Sequence, residues 1–144
     1  MKKIFFACLV LMFAVQSNVA MEVNPTAQHN VTKEQKAVDD AIAAQKEVFN
    51  LPEDMGNGVW LVNVERKGNF VVYTCMLDER FGDFYDFKAI MMKNISGFKD
   101  MIRSDAETNL FCSFIKSKGM GVKYKFVGSE TSLSFELTFN SDEY

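Results

Sequence analysis

"CSFIKSKGMGVKYKF", residues 112–126, is where helical spacing gives way to strand alternation. Ahead of it and into it, Ala106, Leu110, Phe111, Phe114 and Ile115 recur at the spacing of one helix face. Beyond it Val122, Tyr124 and Phe126 alternate with Lys123 and Lys125, the period of a half-buried strand. Between the two, Lys116 and Lys118 suit a helix C-terminus, where cations offset the dipole, and Gly119 suits the left-handed position that stops a helix. Phosphate-binding glycine loops follow a strand and open a helix, whereas this one follows a helix. The stretch therefore reads as helix, stop, strand.

Working outward toward the C-terminus, "GSET" forms a turn, and Leu133, Phe135, Leu137 and Phe139 continue the alternation in a second strand. Placing Phe126 opposite Leu133 brings Tyr124 to Phe135 inside and Lys123 to Glu136 outside. Toward the N-terminus, Ser104 and Glu107 form a capping box that starts a helix near 105. The helix before it carries Phe87, Ile90, Met91, Asn94, Ile95, Phe98, Met101 and Ile102 on one stripe, with Gly97 as a kink or break. It follows the acidic and aromatic bend "DERFGDFYDF". The acids Asp78, Glu79, Asp83 and Asp86 lack the alternate-oxygen spacing of a calcium loop, and read as bend and helix-start charges.

Val59 to Leu77 is β-rich and interrupted by "ERKGN", where Gly68 and Asn69 supply the positive φ of a hairpin turn. Pairing Glu65 with Phe70 puts Trp60, Val62 and Val64 opposite Cys75, Tyr73 and Val71 on a core face. Val59, Leu61, Asn63 and Glu65 then lie outside with Phe70, Val72, Thr74 and Met76. Before the hairpin, Thr32 and Gln35 form a capping box for a helix over 33–49, which Asn50 and Pro52 end. The expected fold is α+β: a four-stranded antiparallel sheet of two hairpins, with helices packed on one face, in the order α-ββ-αα-ββ.

The first twenty residues read as an address. Lys2 and Lys3, an apolar run from Ile4 to Val15 and small or polar residues up to Ala20 match a secretory signal, and the run is too short to span a bilayer as a helix. Residues 21–31 read as a flexible lead and 32–144 as a single α+β domain. The protein is therefore expected to be exported, periplasmic or secreted, without stable membrane insertion. Removing the signal leaves 14 basic against 19 acidic side chains, a net charge of −5, which argues against nucleic acid as a partner.

Cys8 leaves with the signal, so Cys75 and Cys112 remain as a pair in an oxidising compartment. A structural disulfide is the simplest reading. Two buried thiols, or thiol chemistry without the usual C-x-x-C spacing, are the alternatives.

His29 is the only histidine and lies in the lead, which leaves neither a Ser-His-Asp triad in the core nor a histidine metal site. No catalytic residue, metal site or cofactor is assigned. What stands out is the outward face of the first hairpin. Leu61, Phe70, Val72 and Met76 contrast there with Lys123, Lys125, Ser132, Ser134 and Glu136 outside the second. Contiguous exposed apolar area marks interaction surfaces, so these four residues are the candidate site for a partner protein or a second copy. The competing account is that the first helix, with Val38, Ile42 and Phe49, covers them.

The order "LPEDMGNGVWLVNVERKGNFVVYTCMLDE", helices, "LFCSFIKSKGMGVKYKF" resembles a loose set of small exported bacterial domains of unknown function. In these a hairpin, a helical segment and a strand of the form G-[VM]-x-x-x-Y-x-[FY] recur, over about residues 50–140 here. The resemblance implies the fold and export and brings no catalytic residue. Two function classes follow: a non-catalytic exported binding or accessory module acting through the hairpin face, or a small envelope enzyme or ligand binder. The second would use a pocket between sheet and helices, lined by Tyr73, Tyr85, Tyr124 and nearby acids.

Overall fold

The computed structural model describes residues 32–144. The expected signal and lead, 1–31, lie outside them, and with them His29. Helix α1 (Lys33–Val48) opens on the anticipated capping box: Thr32 Oγ1 accepts from the Gln35 N–H at 3.1 Å, and Gln35 Oε1 accepts from the Thr32 N–H at 3.0 Å. Its buried stripe is Val38, Ala41, Ile42 and Gln45. Arg66 forks onto both carboxylate oxygens of Asp39, at 2.8 and 2.9 Å, and so ties α1 to the adjoining strand.

Five strands follow in two groups: β1 (Glu53–Asp54), β2 (Val59–Lys67) and β3 (Phe70–Leu77), then β4 (Gly121–Gly128) and β5 (Ser134–Phe139). They form one sheet in the order β1-β2-β3-β4-β5, antiparallel at every pair except β3 with β4, which run parallel. This corrects the expected four-stranded antiparallel sheet, while the α+β class stands. Hairpin patterns fix the pairing inside each hairpin but not which strands of two hairpins adjoin. Here the helices between them return the chain to the start of β3, where the Gly121 N–H donates to Asn69 O at 2.8 Å. The extra strand β1 is two residues pairing with Trp60 and Leu61, too short to leave an alternation signal.

Register within the first hairpin also differs. Lys67 pairs with Phe70 across a two-residue turn at Gly68–Asn69, with Gly68 at φ +58°, so the turn is tighter than a Glu65–Phe70 pairing. That shift is an even number of residues and leaves Val64, Val71, Tyr73 and Cys75 facing the core. A bulge between Leu61 and Asn63 then reverses the parity of the strand before it. Leu61 becomes 1 % exposed and joins Val59 in the core, while Trp60 turns outward beside Met76. The expected outward position of Leu61 and inward position of Trp60 are both overturned by this one residue.

Between β3 and β4 run α2 (Phe84–Lys93), α3 (Ile95–Thr108) and α4 (Leu110–Ser117), three helices where two were expected. Asp83 caps α2 through the Tyr85 N–H, and the helix breaks at Asn94, at φ −105° and ψ 20°, before Gly97 is reached. The break resets the phase of the apolar stripe: Met91, Phe98, Met101 and Ile102 are buried, whereas Ile90 and Ile95 are exposed. The Ser104 and Glu107 pattern falls inside α3. The cap is supplied instead by Asn109, whose side-chain oxygen accepts from the N–H groups of Phe111 and Cys112. At the end of α4, Gly119 at φ +67° lets the Gly119 N–H reach Lys116 O and the Met120 N–H reach Ile115 O, the paired bonds of a Schellman stop.

β4 extends two residues further than the alternation suggested, so Phe126 pairs with Phe135 and Tyr124 with Leu137. The turn is held from β3: Glu79, just past its end, accepts from the N–H groups of Glu130 and Thr131 and from the Thr131 hydroxyl. These bonds, Thr131 first, keep the Glu79 carboxyl below its ordinary range. Lys123 and Glu136 still meet, at 3.2 Å, as diagonal rather than direct neighbours.

All four helices bury their stripes in one apolar cluster with the inner residues of β2 to β5. Its middle is aromatic: Tyr73 stacks on Tyr124 at 5.3 Å, Phe126 on Phe135 at 4.9 Å, and Phe98 from α3 sits 5.7 Å from Tyr124. If the bulge sets the faces of β2, Leu61→Ala destabilises the protein by about 2–5 kcal/mol in urea unfolding, and Trp60→Ala by less than half as much. An unbroken alternation through β2 would reverse that ranking.

Candidate functional site

Because the four helices share one face of the sheet, no helix of the described residues packs on the other. That face carries Trp60 on β2, Phe70, Val72, Thr74 and Met76 on β3, and Lys123, Lys125 and Val127 on β4. Trp60 pairs with Met76, and Met76 with Val127, so one apolar row crosses three strands at one end of the sheet. All three side chains are half-buried. Phe81, largely exposed, packs at the same end against Gly58, where an added Cβ would lie 2.8 Å from the Phe81 Cβ.

At the other end the Phe70 ring lies over Gly121, occupying the space a Cβ there would need, with Lys123 Nζ 5.2 Å from the ring centroid. Val72, between them, is 2 % exposed. The structure therefore brings three of the four sequence-derived residues, Phe70, Val72 and Met76, onto one face, and places Leu61 on the other. Trp60 takes its position. Alternation alone could not find it, because the signal that moves it is a bulge.

Helix α1 does not cover this face. Its stripe packs in the common core on the opposite side. Further apolar exposure lies along residues 81–95, where Tyr85 is 65 % exposed and Ile90, Met92 and Ile95 also reach solvent.

The second candidate is a pocket between sheet and helices, lined by Tyr73, Ile102, Asp105, Cys112, Ile115, Val122, Tyr124 and Tyr144. It contains the expected Tyr73 and Tyr124 but not Tyr85. Its volume is about 10 Å³, room for one water. The chain end closes it: the Tyr144 hydroxyl donates to Met120 O, and Lys116 Nζ donates to Tyr144 O and lies 5.2 Å from its ring centroid. Burial pushes the Tyr73 and Tyr124 hydroxyls well above their ordinary range and Tyr144 to about 12. Asp105, 7 % exposed, is the one acidic side chain in the lining, and burial raises it to about 6. Acid and base work by a carboxylate pair would need a second.

Cys75 and Cys112 are free thiols, both buried, and nothing among the described residues supports the expected bridge. Cys112 on α4 lines the same pocket as Tyr73 and Val122, and Cys75 on β3 pairs with Phe126. Burial pushes both thiols to about 12, where the nucleophilic thiolate is scarce at neutral pH.

No family model matches the sequence, and no curated protein matches it. Solved structures do. A predicted secreted protein of Pseudomonas aeruginosa superposes with a TM-score of 0.59 at 12% identity, over 82% of this chain and 98% of that one. EpsS, a pilotin from the type 2 secretion system of Vibrio vulnificus, superposes with a TM-score of 0.52 at 10% identity, over 77% of this chain and 94% of its own. At these identities the likeness shows a common fold.

Asp105 generates a pH prediction. Its charged form is disfavoured in the fold, so its contribution is most favourable below the ordinary carboxylate pKa of 3.8, is lost as pH rises toward about 6, and stays lost above. Thermal melts from pH 4 to pH 8 should therefore show Asp105→Asn gaining on the parent as pH rises, with its Tm above the parent's at pH 7.5. Parallel pH profiles for the two proteins would contradict the burial of this carboxylate.

Proposed function

We propose that this chain is an exported, non-catalytic accessory protein that works by binding another protein through the helix-free face of its sheet. The observation that carries the reading is the Trp60, Met76, Val127 row, continued by Phe70 over the buried Val72, on the face that no described helix covers. A solvated sheet face is ordinarily polar, as the outer side of β5 is with Ser134, Glu136 and Thr138. Trp, Phe and Met on such a face are the residue types enriched in protein interfaces.

Export rests on the charged, apolar and small-residue pattern of residues 1–20. It agrees with the two superposed proteins, one predicted to be secreted and the other a pilotin of a secretion system. The pilotin also supports a role carried out with a protein partner rather than on a small substrate. A pocket of about 10 Å³ with one acidic side chain favours the binding reading over the enzyme reading.

The test is retention of partners from an envelope extract by the purified protein and by a Trp60→Lys, Met76→Lys variant. The reading predicts a protein retained by the parent and reduced at least about tenfold by the variant, as loss of two central anchors implies, with the circular dichroism spectrum unchanged. Equal retention by a folded variant would refute the assignment of this face.

A further inference from the structure

The two edges of the sheet are finished differently. On one side β2 is capped by β1 over Trp60 and Leu61 and is bent by the bulge that follows. On the other side β5, "SFELTF", pairs among the described residues only with β4; it has no proline, no lysine, no bulge and no inward charge, and Glu136 is its one charged side chain.

The hydrogen bonding of β5 can be followed residue by residue. The Gly128 N–H donates to Leu133 O at 2.9 Å, which makes Gly128 and Leu133 a bonded pair. Bonded pairs recur every second residue, so Phe135, Leu137 and Phe139 direct their backbone groups at β4. The opposite parity on β4 agrees, since the Gly121 N–H points to β3 and bonds Asn69 O. The N–H and C=O groups of Ser134, Glu136 and Thr138 therefore all point away from the sheet. No strand of the described residues lies on that side of β5, and all three side chains are exposed.

We propose that this edge pairs with β5 of a second copy of the chain, antiparallel about Leu137, to give a continuous ten-stranded sheet. The parity restricts the register. Only residues with outward backbone groups can bond, so the two-fold axis must pass through a residue and not between residues. Centred on Glu136, the pairing would set two carboxylates directly opposite one another, which is unfavourable. Centred on Leu137, it pairs Glu136 with Thr138 of the second copy and Phe135 with Phe139, so no like charges meet and the inner apolar rows run on across the junction. Lys123 already partners Glu136 at 3.2 Å and lowers the cost of bringing that residue to an interface. This interface is separate from the Trp60 row, and its test does not depend on that row.

The experiment uses protein purified after expression of the full sequence. Sedimentation should give a reversible monomer–dimer equilibrium. Amide hydrogen exchange at Glu136 and Thr138 should be slow at high protein concentration and at least about tenfold faster after dilution below the dissociation constant. Thr138→Pro removes an outward N–H that β4 does not use, and should shift the equilibrium at least tenfold toward monomer. Three results would overturn the proposal: fast exchange at both amides at every concentration, protection that does not change on dilution, or an unchanged dimer in folded Thr138→Pro. If that variant does not fold, the dilution dependence of exchange in the parent decides the question alone.

Discussion

The structure depends on the parallel pairing of β3 with β4. Two antiparallel hairpins would need only turns, but a parallel pair requires the chain to leave the end of one strand and return to the start of the next. Residues 78–120 make that return, and they carry α2, α3 and α4 with them. The pairing is sealed in its middle. Tyr73 and Tyr124 are register partners and stack, and Phe98 from the crossover closes over them.

From this constraint the functional geometry follows. The crossover helices and α1 crowd one face of the sheet and fill the space there, which leaves a pocket of water size. The other face receives no helix of the described residues, and its apolar row spans the parallel junction itself, from Trp60 through Met76 to Val127. A protein built this way has its chemistry-bearing groups either buried, as Asp105, Cys75 and Cys112 are, or spread over a surface.

Much of this was legible in the sequence, and the failures have definite physical causes. The first capping box, the glycine stop at Gly119 and the inner rows of β3, β4 and β5 could be read because each is a local signal. Parallel adjacency of the hairpins could not, since alternation records which side a residue faces and not which strand lies beside it. The bulge at Leu61 to Asn63 exchanged Leu61 for Trp60 in the candidate surface, because an extra residue in a strand leaves no mark on composition. The break at Asn94 exposed Ile90 and Ile95 for the same reason in a helix: a stripe stays continuous only while the helix does. The cysteine pair suggested a bridge that the structure does not support, because parity of count says nothing of whether two thiols meet.

Trp60 is the only tryptophan in the chain, so its fluorescence reports on the helix-free face without interference. The most direct measurement is acrylamide quenching of that emission in the isolated protein, compared with the urea-unfolded chain. An open face predicts that a substantial fraction of the unfolded chain's quenching persists in the folded protein. Emission shielded from acrylamide in the folded protein alone would mean that the chain covers this face itself, and would contradict the account.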